Sequence, residues 1–165
     1  MISAYEHDTE IPQRAIVVTG PFMPASAQQE FHERCERVDK LEILTFDAHI
    51  ELLMEQASSV VAMGGYNTFC EILSFDKPAL IVPRTVPRRE QLIRASRAVV
   101  LGLVNMLDPS ADRDPVRMAE ALKTLPHKSP PSAHSIVGML DGHECIADLV
   151  RKHIESIPVD GSKIA

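Results

Sequence analysis

Two hydrophobic periods alternate along the chain. Ala15-Ile16-Val17-Val18-Thr19 is a short β-branched run stopped by Gly20-Pro21, and it predicts a strand. Phe31, Cys35 and Val38 then recur at i, i+4 and i+7, which is helical spacing. Residues 41–46 read as a second strand. Ile50, Leu53, Met54 and Ala57 form the stripe of an amphipathic helix. Ser59-Val60-Val61-Ala62-Met63 predicts a third strand, ended by Gly64-Gly65, and Phe69, Ile72 and Leu73 mark a short helix before Lys77-Pro78. Ala79-Leu80-Ile81-Val82 predicts a fourth strand closed by Pro83. Residues 89–101 read as a helix and 103–107 as a fifth strand. Met118, Ala121, Leu122 and Leu125 give one more helical stripe, and Ile146, Leu149, Val150 and His153 a terminal one.

Short strands alternating with helices imply βαβ units and a parallel sheet. The strands are continuous apolar runs, as expected when helices cover both sheet faces. The expected fold is α/β, a Rossmann-like three-layer α/β/α sandwich with a parallel sheet of about five or six strands. Residues 15–157 are expected to form this domain, with a loose segment at 1–14 and a frayed tail at 158–165. The prolines Pro126, Pro130 and Pro131 and the turn-like residues 138–142 predict an extended surface loop.

Composition narrows the function. The chain has 165 residues, with 17 Lys and Arg against 23 Asp and Glu, a formal net charge of −6. No basic surplus is left to neutralise phosphates, so nucleic acid is not an expected partner. No apolar run approaches the ~20 residues of a membrane span, and the first residues lack the basic and apolar regions of a signal peptide. Cys35, Cys70 and Cys145 form no CxxC and leave an odd thiol in any pairing. A reduced, cytoplasmic location is the expectation. The length suits one ordinary domain and leaves no room for two full domains with a cleft between them.

In an open parallel sheet, ligands bind at the carboxyl ends of the strands. The turns to inspect are therefore 19–24, 46–49, 64–68 and 83–91. Gly64-Gly65-Tyr66-Asn67-Thr68 stands out. Two glycines permit a tight turn and close approach to a ligand, and Asn67 or Thr68 is expected to cap the following helix. A helix N-terminus suits a phosphate. Glu71 lies three residues after Thr68, the capping-box spacing, so the same residues also fit a plain helix start. Neither a P-loop nor a GxGxxG pattern is present. Arg84, Arg88 and Arg89 crowd the 83–91 turn and fit either a solvated basic loop or diphosphate binding. His32-Glu33 is not an HExxH site because Glu36 holds the fourth position, and the histidines show no metal-ligand spacing, so no metal is expected. His49 is expected to be solvated, Cys70 to be a small buried residue, and Asp141-Gly142-His143-Glu144 to start a helix.

Taken in order, Gly64-Gly65-x-x-Thr68-x-x-Glu71, Lys77-Pro78-Ala79-Leu80-Ile81-Val82-Pro83, Glu90-Gln91 and Ala95 resemble the donor-binding half of GT-B glycosyltransferases of family 28. The likeness runs from about residue 15 to 107 and is densest over 57–95. Within the family it is closest to predicted bacterial glycosyltransferases resembling the peptidoglycan UDP-N-acetylglucosamine transferase, with a Thr-Gly-Pro-Phe-Met-Pro first loop. The resemblance implies a nucleotide-sugar donor and no cofactor. By it, Gly64, Gly65, Asn67 and Thr68 hold the diphosphate and Glu71 the ribose hydroxyls. The backbone at Phe46 and Ala48 flanks the uracil, Glu90 and Gln91 reach the donor sugar, and Gly20 and Arg84 lie by the diphosphate. Thr19-Gly20-Pro21 departs from the family's Gly-Gly-Ser loop, since Pro21 has no N–H. No residue is identified as a catalytic base. The implied protein is a hexosyltransferase's donor domain, inactive alone. It needs an acceptor-binding N-terminal domain or partner subunit, through which it associates peripherally with a membrane. The departure at the first loop also fits a non-catalytic interaction module, and the fold also fits a sugar-nucleotide epimerase-like fragment.

Overall fold

The computed structural model describes residues 1–108, 114–134, 138–139 and 141–156. It divides into two units, Met1–His134 and Ser135–Ala165. The tail at 158–165 lies outside the described residues.

The first unit runs α1 (Ile2–His7), β1 (Ala15–Val18), α2 (Ala25–Cys35), β2 (Leu41–Leu44), α3 (Ile50–Gln56), β3 (Val60–Ala62), α4 (Tyr66–Ser74), β4 (Ala79–Ile81), α5 (Glu90–Val100), β5 (Asn105–Met106) and α6 (Pro115–Thr124). All strand pairs are parallel, as the alternating pattern requires. They do not bond into one continuous sheet. β1 pairs with β2, and β3, β4 and β5 form a separate sheet in that order. Ala15 stands opposite Leu41 in the first sheet, and Val60 opposite Ala79 in the second. The expectation that both faces of every strand are covered holds for β4, where each residue is buried. It fails for β1, whose Ile16 is 45 % and Val18 38 % exposed. The split explains this, because β1 borders the gap between the sheets and its side chains face it.

Residues 1–14, expected to be loose, instead carry α1 and part of the core. Ala4, Tyr5 and Ile11 are buried with Ala119 and Leu122 of α6, and Val38, Leu41 and Val61 pack against them. Six residues are too few for a helix to persist on its own, so α1 depends on these contacts. Arg34 of α2 grips Glu6 through Nε at 2.8 Å and Nη2 at 2.6 Å, and Lys123 of α6 meets Asp8 at 2.6 Å. The start of α6 is built for its place. The Asp114 carboxylate accepts the Val116 N–H at 2.9 Å, and Pro115 fills the first turn.

The proline-rich segment is not a plain extended loop, since Leu125–His127 and Pro131–Ala133 form 3₁₀ turns. In the second unit, α7 (Gly142–Ser156) buries none of its residues. Its stripe of Ile146, Leu149, Val150 and Ile154 is exposed.

Candidate functional site

β2 pairs with one edge of β1, and β3, which starts the second sheet, lines a common cavity with β1 but not with β2, which puts a change of winding between β1 and β3. That is the switch point at which open α/β sheets hold ligands. A cavity of about 850 Å³ lies there, walled by Ile16 and Val18 of β1 and by Val61 and Ala62 of β3. Of the residues singled out in the sequence, it brings together Gly64, Gly65, Thr68 and Gln91.

Gly64 and Gly65 make the turn from β3 into α4. Gly64 is buried and has φ +77°, a left-handed conformation that L side chains rarely adopt. A Cβ there would stand 2.8 Å from Ile81 Cγ2. α4 opens three residues earlier than a Thr68 cap requires. Gly65 is its N-cap, and no side chain caps it. The expected capping box of Thr68 and Glu71 does not form, because Thr68 already sits inside the first turn. The first N–H groups of α4 are therefore left without intrahelical partners, and no acidic residue lies in its first turn to offset the positive end of the helix. Thr68 and Glu71, three apart, share one face and are both half-buried, while Asn67 is exposed.

α5 holds this turn from the other side. Gln91 is 9 % exposed, and its Oε1 accepts the backbone N–H of Arg84 at 3.0 Å, which fixes the β4–α5 loop. Arg94 donates from Nη1 to the Gly64 carbonyl at 2.7 Å, and its guanidinium lies 5.6 Å from the centre of the Tyr66 ring. Sequence reasoning did not single out Arg94. The signal was its place at i+4 from Glu90 and i+3 from Gln91, on the same helical face.

The remaining candidates stand outside the cavity wall. Glu90, the first residue of α5, is exposed, as are Arg84, Arg88 and Arg89. Gly20 follows β1 with φ +86° and open space around it. Beside it the Thr19 Oγ1 is buried with no hydrogen-bond partner among the described residues. Phe46 and Ala48 are exposed on the loop after β2, where the Asp47 carboxylate accepts the His49 N–H at 2.7 Å. His49 is solvated, as expected, while Cys70 is half-buried rather than buried. Among the described residues no group of three His, Cys, Asp or Glu side chains is placed to hold a metal. The loops after β1, β2, β3 and β4 also each expose a large apolar side chain, namely Phe22, Phe46, Met63 and Val86.

Residues 3–136 match the family described as the glycosyltransferase family 28 C-terminal domain. No curated protein is similar enough in sequence to match the chain. Among solved structures, the chain is similar to the glycosyltransferase VinC in complex with dTDP, with a TM-score of 0.60 and 17 % identity. That match covers 95 % of this chain and 34 % of VinC. It is also similar to the glycotransferase of kitacinnamycin, with a TM-score of 0.63 and 21 % identity over 90 % of this chain and 38 % of the other. The α/β fold is thus one found in glycosyltransferases, and the chain spans little more than a third of their length.

Proposed function

The chain belongs to the glycosyltransferase family 28 C-terminal domain family, and from that premise we propose that it binds the nucleotide-sugar donor of a GT-B hexosyltransferase. The donor is a UDP-sugar, in particular UDP-N-acetylglucosamine. One observation carries the reading. The uncapped N-terminus of α4 opens from the Gly64-Gly65 turn onto the cavity at the switch point, with Thr68 and Gln91 in the same wall. Free N–H groups at a positive helix end are what a diphosphate needs, and they persist here because Gly65, the N-cap, has no side chain to fill them. The Thr19 Oγ1, buried just after β1 with no hydrogen-bond partner among the described residues, is a further polar atom that a ligand can satisfy. The dTDP held by VinC supports the nucleoside diphosphate class.

Glu71 takes the ribose hydroxyls, since a carboxylate offers two acceptor oxygens. Gln91 spends its Oε1 on Arg84, so its amide NH₂ is the group that donates to the sugar, while the exposed Glu90 accepts from sugar hydroxyls. The loops at Gly20 and Arg84 lie by the diphosphate, and Phe46 and Ala48 flank the base. No metal is needed for this mode of holding. The acceptor and the catalytic base come from an N-terminal domain or partner subunit, which also brings the complex to a membrane surface on the cytoplasmic side. Binding alone accelerates nothing unless it favours the transition state, so the chain by itself is inactive, and transfer in the complex inverts the anomeric carbon. Isothermal titration tests the core of this reading. The chain should bind UDP, and Glu71→Ala should weaken it about tenfold, the scale of lost hydrogen bonds to a charged group. Absence of heat with UDP, or unchanged affinity in the variant, overturns it.

A further inference from the structure

We propose that Arg94 is a positioning residue for the donor diphosphate, locking the 64–66 turn so that the N-terminus of α4 meets the ligand already formed. The role rests on the donor reading above. A Gly-Gly turn has more accessible backbone states than any other dipeptide, so something must hold it in one of them. The Arg94 Nη1 bond to the Gly64 carbonyl is short, at 2.7 Å, and charge-assisted. In a trans peptide the C=O and N–H point in opposite directions. Holding the Gly64 oxygen toward α5 therefore turns the Gly65 N–H away from α5. The guanidinium face then lies over Tyr66, the first residue of α4, at 5.6 Å from the ring centre. Tyr66 is 68 % exposed, so its ring has little other packing to fix it. One side chain thus pins both the turn and the helix start. Arg94 is itself held, because Ala95 and Ala98 on the same helix are buried. A planar, multi-donor guanidinium is pre-organised to bond a carbonyl and stack on a ring together. Lysine, a point charge on a flexible stem, does both less well.

The chain contains no Trp, and its two tyrosines are Tyr5 and Tyr66. Tyr5 is buried, so Tyr5→Phe leaves Tyr66 as the sole tyrosine reporter. In that background Arg94→Ala should change the Tyr66 emission, and Arg94→Lys should restore it in part. UDP affinity should fall about tenfold in Arg94→Ala, with partial rescue by Arg94→Lys. Uridine, which lacks the diphosphate, should bind both as it binds wild type. Unchanged Tyr66 emission overturns the clamp. Unchanged UDP affinity, or equal losses for UDP and uridine, overturns the diphosphate role in favour of plain structural support. Should Arg94→Ala fail to fold, Arg94→Gln provides the same comparison with a neutral donor. A wild-type chain that binds no UDP overturns the donor reading and this role with it, and the Tyr66 emission then still reports whether the clamp exists, so the two failures separate.

Discussion

Gly64 and Gly65 are adjacent, yet different physics requires each. Gly64 combines a positive φ with a neighbour that leaves no room for a methyl group, as Ile81 Cγ2 would be 2.8 Å away. Gly65 has an ordinary φ of −55° and nothing within 4 Å of a Cβ. Gly64→Ala should therefore destabilise the chain by about 2 kcal/mol or more, from left-handed strain and overpacking against β4. Gly65→Ala should cost well under 1 kcal/mol, since it fits the backbone. Urea titration of both variants checks the contrast, and equal losses would show that the turn is not built as described. The glycine pair was legible in the sequence because two glycines after an apolar run have few other uses. The cap was not. Thr68 and Glu71 have the right spacing for a capping box, but the turn at Gly64 lets the helix begin two residues before Asn67 becomes available as a cap. Arg94 was hidden for another reason. Its partners are a backbone carbonyl and a ring thirty residues away, and helical spacing reports only which residues share its own face.

At the scale of elements, helix and strand identities followed from periodicity over most of the first unit, because each strand and each longer helix shows enough of its period. α1 escaped it. A six-residue helix completes fewer than two turns, and what fixes it is distant, Arg34 on Glu6 and Lys123 on Asp8. These ion pairs give α1 a pH dependence. The Arg34 guanidinium holds the Glu6 carboxyl below its usual range, and Lys123 does the same for Asp8. A carboxylate with a lowered folded pKa contributes stability above its ordinary value of about 4. That contribution is lost as pH falls through the lowered value. The partners, Arg34 and Lys123, are shifted upward, so their charge stays in place until strongly alkaline pH. Amide exchange in α1 should therefore be slow from neutral pH down to about 4, and should speed up, relative to the rest of the chain, below it. Arg34→Ala should remove much of that acid step and raise exchange in α1 already at neutral pH. An acid step unchanged in Arg34→Ala would show that the Arg34–Glu6 pair does not tether the helix. Because both carboxylates keep part of their surface in solvent, added salt should shrink the effect.

For the whole molecule, periodicity identified five strands and their parallel sense but not how they bond. A strand's apolar run says that it is buried somewhere, while pairing depends on which edges meet, and the separation of β1 and β2 from the other three strands left no mark in the pattern. The boundary at residues 134 and 135 was equally silent, since the α7 stripe looks like any core-facing helix in sequence. Its apolar residues are nonetheless exposed, and the family match ends at residue 136. The first unit contains the Gly64-Gly65 turn, Glu71, Gln91, Arg94 and, among the described residues, every buried residue of the core. It should therefore fold and bind without the second. A chain ending at His134 should keep the thermal midpoint of the full chain within a few degrees and its UDP affinity within about twofold. Four exposed aliphatic side chains on one helical face favour self-association, so the shortened chain should also sediment closer to a monomer at high concentration. Calorimetry, titration and sedimentation velocity read these three quantities separately. A midpoint lowered by ten degrees or more would mean that α7 supports the core of the first unit, and a lost UDP affinity with an intact midpoint would mean that the second unit completes the donor site.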